Sequence, residues 1–253
     1  DDKAAYSIYH YFYEQYQYSQ IPSDRKIVIE TYVDRGRTYV IFQTLFGRRV
    51  NDCLSRALAY VIGKSQHRDV EIGVTDNGFY LSAEQNFNAL RAFEALKQDD
   101  FRAVLENAIE KSEVLSRRFR HCAARALMIL RQYMGRTKNA GRLQVGSKIL
   151  FNAVKRISND FPILKEARRE VLEDLMDYPH AQKVIDEIVA GRTTIAEVPT
   201  DIPSPFAFGL IAGGYSDVIR IEDKQEFLKR MHEMVMARIA LKEGKKLLKE
   251  RQK

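Results

Sequence analysis

Two pairs of short β-branched and aromatic segments in the first third of the chain constrain the fold most. Within each pair the segments are separated by a short turn that contains glycine, Gly36 in one case and Gly78 in the other. This arrangement predicts two β-hairpins, and an amphipathic helix is predicted between them at 52–62. The predicted strands are residues 26–33, 38–46, 70–75 and 79–81.

Helical periodicity dominates the chain after about residue 84. Segment 191–198 is compatible with a returning strand, and the prolines of 199–214 predict a non-helical connector, whose Phe206 and Phe208 are expected to enter the core. Helices are predicted near 85–97, 100–109, 111–134, 144–157, 162–176, 180–190 and 223–253.

These patterns predict an α+β fold. A small hairpin–helix–hairpin sheet unit, preceded by a helix, occupies residues 1–82, and a mostly helical bundle occupies residues 83–253. The two parts are expected to pack as one accessory domain.

Composition fits a globular protein, with 45% hydrophobic and 30% charged residues. No apolar run approaches the roughly 20 residues of a membrane span, so no membrane partner is predicted. Cys53 and Cys122 lie in apolar helical patterns, which predicts buried thiols and a reducing, cytoplasmic location. The chain begins with Asp1 rather than Met, and we expect a processed product or a piece of a longer protein.

Positive charge is concentrated between Lys111 and Lys148. This segment holds ten Lys and Arg residues and one acid, Glu113, whereas the whole chain carries a net charge of +7. The basic character is therefore local, and a local basic surface indicates an acidic or nucleic-acid partner.

The first half of this basic segment plots as an amphipathic helix that is predicted to end at Gly135. One arc is apolar and the opposite arc is basic, and residues 135–148 form a predicted loop rich in glycine and cations. Arginine binds phosphate oxygens bidentately, so this stretch is a candidate phosphate-binding surface. The alternative is a solvated helix face followed by a flexible loop.

The candidate nucleic-acid contacts come from three places: the start of the helix after the first hairpin, the basic helix, and the loop that follows it. For Arg48 and Arg49 the alternative is a helix start with one arginine paired to an acid. For Arg125 an ion pair is favoured over a phosphate contact. The candidates are Arg48, Arg49, Asn51, Arg117, Arg118, Arg120, Arg131, Arg136, Lys138, Arg142 and Gln144.

A tyrosine row marks the predicted first helix. Tyr6, Tyr9, Tyr13 and Tyr16 follow a helical spacing, and such a row indicates packing against a neighbouring element more often than a stacking platform for bases.

Catalytic motifs find little support. Gly63-Lys64-Ser65 resembles the end of a P-loop, but Leu58 stands where the first glycine is required. The acids Glu170, Glu173, Asp174 and Asp177 could suit a two-metal nuclease, although their spacing favours surface salt bridges. No zinc-ligand spacing or Ser–His–Asp arrangement is recognisable, so the chain alone is predicted to be a binding module without a cofactor.

Six segments in order resemble one family. They are PSDRKIVIETY, FGRRVNDCLSRALA, TDNGFYL, RFRHCAARALMILRQYMGR, DFPILKEARREVLEDLMD and IPSPFAFGLIAGGYSDVI. Together they are similar to the DEAD/H-associated domain of the large helicase-related (Lhr) family of ATP-dependent helicases, and the similarity spans about residues 5–240.

The resemblance implies an accessory, strand-holding role in a 3′-to-5′ helicase that acts on DNA or RNA–DNA hybrids. Two RecA-like motor lobes and a winged helix would lie upstream, and the lobes would bind ATP and magnesium. The implied partners are single-stranded DNA or RNA and those upstream domains. Two other functions stay open: a docking domain whose basic face meets the motor lobes or an acidic partner, and a nuclease or glycosylase.

Overall fold

A computed structural model describes residues 1–34, 36–130, 132–133, 135–137, 139–214 and 221–251 of the chain. These residues form a mixed five-stranded sheet, a short two-stranded ribbon and a set of packed helices. The predicted α+β class, with a strand unit and a helical part, is confirmed.

The large sheet consists of the two predicted hairpins and one late strand. Its strands are β1 (Lys26–Asp34), β2 (Arg37–Gln43), β3 (Glu71–Thr75), β4 (Gly78–Ala83) and β7 (Thr194–Pro199). The order is β3-β4-β2-β1-β7, and only the β1–β7 pair is parallel. The second half of the sequence therefore supplies the strand that covers the outer edge of β1.

Gly78 sets the close approach of the second hairpin to the first. It opens β4 opposite Gln43 and has a φ of +155°. A Cβ atom at this position would lie 2.3 Å from the carbonyl oxygen of Phe42, which is too close for any side chain. The glycine of the predicted turn is therefore needed for sheet packing as well as for the turn itself.

The described helices account for most of the remaining chain, and one six-residue segment is a π-helix, Glu170–Leu175. Strands β5 (Gln132–Tyr133) and β6 (Arg136–Thr137) form the two-stranded ribbon. The α-helices are α1 (Asp2–Tyr18), α2 (Arg48–Gln66), α3 (Ala89–Gln98), α4 (Phe101–Ile109), α5 (Glu113–Arg125), α6 (Ala140–Ile157), α7 (Pro162–Arg169), α8 (Tyr178–Val189), α9 (Pro205–Gly214) and α10 (Ile221–Arg251).

The sheet lies between two helical layers. On one face α2 buries Leu54, Leu58 and Ile62 in the main core, which continues through α3, α4, α5 and α7. On the other face α9 packs on a smaller cluster, in which Tyr32 and Tyr39 stack with ring centroids 4.9 Å apart. Both faces of the central strands are therefore buried away from solvent, which explains their nearly continuous apolar sequences.

The predicted buried thiols are confirmed. Cys53 and Cys122 are free and buried. Burial raises the pKa of the Cys53 thiol to about 12, which keeps it protonated and chemically inert at neutral pH.

The predicted length of the basic helix is wrong. Helix α5 ends at Arg125, nine residues before the predicted end at 134, and Leu127 adopts a left-handed conformation with φ 57°. The N–H groups of Met128 and Ile129 then donate to the carbonyl of Ala123, which closes the helix end. Gly135, with φ 72°, lies at the turn of the β5–β6 ribbon rather than at a helix end.

Two predicted irregular segments are instead helical. Helix α6 begins at Ala140, because the Asn139 side chain accepts a hydrogen bond from the Arg142 N–H and caps the first turn. Helix α9 occupies the predicted connector, with Pro205 at its first position, where a missing N–H costs nothing. The predicted entry of Phe206 and Phe208 into the core is only partly right, because both are half-buried: Phe208 packs against the small cluster that contains Tyr18, whereas Phe206 contacts the exposed Tyr11 of α1.

A buried carboxylate joins α1, the sheet and α9. Glu30 of β1 accepts hydrogen bonds from the hydroxyl of Ser19 (2.8 Å), the amide of Gln43 (2.8 Å) and the backbone N–H of Ser204 (3.0 Å). Burial raises the pKa of Glu30, and the hydrogen bonds from Ser204, Ser19 and Gln43 partly offset that rise. Folding therefore favours the protonated form of Glu30.

We expect replacement of Glu30 by Gln to change how stability depends on pH. Because the pKa is raised by folding, the contribution of Glu30 is complete below its ordinary pKa of 4.5 and is lost as the pH rises through the folded-state value. The difference in free energy of unfolding between wild type and Glu30→Gln should therefore shift in favour of the variant as the pH rises from about 4.5 to about 8. Urea denaturation across this range measures the difference, and parallel curves for the two proteins would contradict the assignment.

Candidate nucleic-acid interface

One face of α5 lines a groove of about 550 Å³. The groove residues of α5 recur at intervals of three, four and seven positions, which places them on one side of the helix. Leu175, the last residue of the π-helix, lies across the groove. The lining residues are Val114, Arg117, Arg118, His121, Ala124, Arg125 and Leu175.

The opposite face of α5 fixes the helix in the core. Leu115, Phe119 and Cys122 are buried there, and the Phe119 ring meets Phe151 of α6 edge-to-face at 5.1 Å. The Ser112 hydroxyl accepts a hydrogen bond from the Leu115 N–H and caps the first turn. The basic side chains of the groove therefore project from a rigid helix.

A single buried acid lies at the base of the groove. The Glu170 carboxylate is 5% exposed and pairs with Arg118 at 3.3 Å and with Arg125, whose side chain is 60% exposed. The expected ion pair of Arg125 is confirmed, but only its acid partner is buried. Arg118 and Arg125 thus share one carboxylate, and Arg117 adds a third guanidinium group to the groove lining, so the groove carries an excess of positive charge.

Arg117 and Arg120 contribute the least compensated charge on α5. Arg117 is exposed and Arg120 is half-buried, and neither has an ion-pair partner within 4.0 Å among the residues that the structure describes. Their guanidinium groups remain available to an anion from solution.

The three candidates at the start of α2 do not line this groove. Asn51 is fully buried: its side-chain oxygen accepts a hydrogen bond from Thr44 (2.7 Å), and its amide donates to the carbonyls of Thr75 (3.0 Å) and Asp76 (3.2 Å). A phosphate cannot reach it, so the prediction for Asn51 is wrong. This residue instead joins the turn of the second hairpin to the end of β2.

Arg48 and Arg49 are exposed, and their phosphate contacts stay predictions. The Arg49 guanidinium donates to the carbonyls of Glu173 (2.7 Å) and Met176 (2.8 Å) at the end of the π-helix, which is a helix C-terminal contact. The Arg48 side chain is exposed, and its backbone N–H donates to the Asp76 carboxylate at 3.3 Å. Neither arginine shows the predicted alternative, a side-chain pair with an acid, among the described residues.

The candidates after α5 divide into two groups. Arg142 and Gln144 are exposed in the first turns of α6. Arg136 belongs to β6, but its side chain lies outside the described part of the structure, and Arg131 and Lys138 lie outside the described residues altogether.

The tyrosine row of α1 is exposed, contrary to the packing prediction. Tyr6, Tyr9, Tyr13 and Tyr16 are 41% to 68% exposed, and the Tyr9 and Tyr13 rings stack on each other at 5.9 Å. The opposite side of the helix packs instead, because Gln15 and Tyr18 are buried. The spacing identified one face of the helix but not the face that meets the core.

The acidic residues near the π-helix form the predicted salt bridges. Glu173 pairs with Arg102 and Arg169, Asp174 with Arg169, and Asp177 with His180. Within the described ranges no group of three or more His, Cys, Asp or Glu side chains is arranged to hold a metal ion. The helices in the same ranges also include none that is long and apolar enough to cross a bilayer.

Comparison with known proteins identifies the family. Residues 21–207 match the DEAD/H-associated family. The chain belongs to this family. It is a DEAD/H-associated domain of the kind found in Lhr-type helicases, as the resemblance predicted.

Its relatives are much longer proteins. The chain is 52% identical over 240 residues to ATP-dependent helicase Lhr-Core of Methanothermobacter thermautotrophicus, and 43% identical over 244 residues to that of Saccharolobus solfataricus. These alignments cover 94% and 93% of this chain but 28% of each relative. This DEAD/H-associated domain thus spans less than a third of the length of those relatives.

A solved structure shares the fold. It is the Mycobacterium smegmatis helicase Lhr bound to single-stranded DNA and AMP-PNP, with a TM-score of 0.69 and 28% sequence identity. The match covers 79% of this chain and 26% of that chain. The similarity supports the assignment of the DEAD/H-associated domain as an accessory domain of a helicase.

Proposed function

We propose that this domain holds a single strand of nucleic acid by its phosphates, as the accessory part of an Lhr-like ATP-dependent 3′-to-5′ helicase. The observation that carries the proposal is the α5 groove, which is lined by three guanidinium groups from a helix anchored by its opposite face, while one buried carboxylate, Glu170, pairs with only two of them. Arg120 on α5 and the exposed Arg142 and Gln144 of α6 are further candidate contacts for the strand.

Phosphate contacts suit a strand that must move. Arginine and lysine bind the backbone without reading base sequence, so a translocating strand can exchange one phosphate for the next. Such contacts do not recognise the 2′-hydroxyl group, and we therefore propose binding to DNA or RNA strands. The single-stranded DNA held by the M. smegmatis relative favours DNA.

The motor would belong to other parts of the protein. We propose that RecA-like lobes upstream bind ATP and Mg²⁺ and move the strand, and that a winged helix joins them to this domain. The share of the Lhr-Core relatives that lies outside the alignment leaves room for these domains. This chain would then bind the strand and carry out no catalytic step.

Docking to protein is a second candidate function. The observation in its favour is the exposed tyrosine row of α1, a helix capped by Asp1 whose Asp2 and Glu14 would repel phosphates. A docking role for α1 is compatible with strand binding at α5. Docking of a protein on the basic face of α5 would instead exclude strand binding there.

A salt series distinguishes these candidates. Fluorescence anisotropy of the 253-residue chain with a labelled strand of about 20 nucleotides should give an affinity that falls steeply with salt, with a log–log slope of several units if several phosphates are neutralised. Weak binding that does not change with salt would reject the strand-holding role and favour docking by the basic face.

Replacing Glu170 by Gln should tighten strand binding. The variant keeps an oxygen that accepts from Arg118 and Arg125 but removes the negative charge at the base of the groove. We expect about twofold to fivefold higher affinity at 0.1 M salt, measured by the same anisotropy assay.

Glu187→Gln is the matched control, because it removes an equal charge from α8, where Glu187 pairs with Arg192 outside the groove. Its affinity should stay close to that of wild type. Equal effects of the two variants would mean that only total charge matters and that the groove is not the binding surface.

A further inference from the structure

The α5 groove has apolar walls as well as cations, and phosphate contacts alone do not explain them. Val114 and Ala124 line the groove together with the basic residues of α5, and Leu175 lines it from the π-helix with 42% of its surface exposed. A surface that only neutralises phosphates needs no apolar wall. The exposed leucine therefore points to a second chemical group in the ligand.

The π-helix explains how one short segment supplies both the acid and the apolar wall. Glu170 and Leu175 are its first and last residues, five positions apart. In an α-helix they would be separated by about 140° around the axis, whereas a π-helix bonds residue i to i+5 and brings such residues to nearly the same side. The Met176 N–H donates to the Val171 carbonyl at 2.9 Å, which is a bond of this kind.

Volume and charge agree with a ligand of mixed character. The groove is open on one side and has a volume of about 550 Å³, within the range of roughly 300 to 1,000 Å³ of small-molecule sites. Its three guanidinium groups and one carboxylate leave an excess of two positive charges. A nucleotide presents this combination, because it carries an anionic phosphate and a flat base with an apolar face.

We propose that the groove is a subsite for one nucleotide of the bound strand. The phosphate meets Arg117 and Arg125, and the base packs against Leu175 and the apolar residues of α5. Glu170 holds Arg118 and Arg125 in place from below. The proposal rests on the strand-holding function and adds to it a contact with the base face, which is independent of base identity because every base has such a face.

The test compares two strands of equal charge. One is a 12-nucleotide oligothymidylate, and the other is an abasic deoxyribose-phosphate strand of the same length, both labelled and titrated with the 253-residue chain. We expect wild type to prefer the base-containing strand by about threefold to tenfold. Leu175→Ala should remove most of this preference and leave the affinity for the abasic strand within about twofold, because no charge changes.

Val189→Ala is the matched control, since it truncates another exposed apolar side chain, on α8. It should keep the full preference. Arg117→Glu should weaken both strands alike, because each strand carries the same phosphates.

The outcomes separate the subsite from the broader function. Equal binding of both strands by wild type would overturn the subsite, and so would a preference for the base-containing strand that survives in Leu175→Ala. In either case, salt-dependent binding that requires Arg117 would still support the strand-holding function. Salt-independent, weak binding of both strands by every protein would overturn both proposals.

Discussion

Reversing the charge of Arg117 and Arg120 together should reduce affinity for a single strand by about 100-fold at 0.1 M salt. Both guanidinium groups project from α5 without an acid partner in the described structure, so each is available for a phosphate. Two lost contacts on a single strand should also make the log–log salt slope shallower by about 1.4. Anisotropy titrations of Arg117→Glu with Arg120→Glu over a salt series measure both quantities.

A matched double variant controls for net charge. Lys64 on α2 and Lys229 on α10 are exposed, and their replacement by Glu changes the total charge by the same amount away from α5. This control should lose only a few-fold in affinity and keep the wild-type slope. If the two double variants lose the same affinity, binding of the strand depends on the overall charge of the protein, and α5 is not the binding surface.

Replacing Asn51 by Ala should destabilise the domain by about 2 to 4 kcal/mol. The change leaves the buried Thr44 hydroxyl and the carbonyls of Thr75 and Asp76 without the hydrogen bonds that Asn51 provides. Urea denaturation monitored by circular dichroism gives the free energy of unfolding.

Asn107→Ala provides the comparison, because the exposed Asn107 amide donates only to a carbonyl of its own helix, that of Ala103. Its cost should stay within about 0.5 kcal/mol. A folded and fully stable Asn51→Ala protein with impaired strand binding would restore Asn51 as a contact residue and contradict the structural role.

The two hairpins of the sheet could be predicted because each is formed by neighbouring residues in the sequence. Each hairpin combines β-branched strands with a glycine turn, and both form as predicted at Lys26–Gln43 and Glu71–Ala83. The end of α5 was missed because the apolar period continues through Ile129 and Leu130, although Leu127 has already left the helix. Periodicity records which residues are apolar and does not report where the backbone turns.

The candidate site was only partly predictable for a different reason. Arg49 reaches carbonyls 124 and 127 residues away, and Asn51 joins a turn 24 residues later, so their hydrogen bonds depend on partners that the local sequence does not show. The groove needs Leu175 and Glu170 at the two ends of a π-helix, and no helical period predicts that geometry. The basic face of α5 was predictable because it is a property of one helix alone.

The parallel pairing of β7 with β1 also governs how the chain can be made. Thr194 bonds to Arg25, 169 residues earlier, so the outer edge of β1 has no partner until almost four-fifths of this sequence has been synthesised. At typical ribosomal speeds that interval lasts on the order of ten seconds. During it β1 is an open edge strand with an apolar sequence, which can pair with another nascent chain. The order of synthesis, rather than the stability of the finished sheet, therefore sets the period in which this domain is most exposed to misassembly.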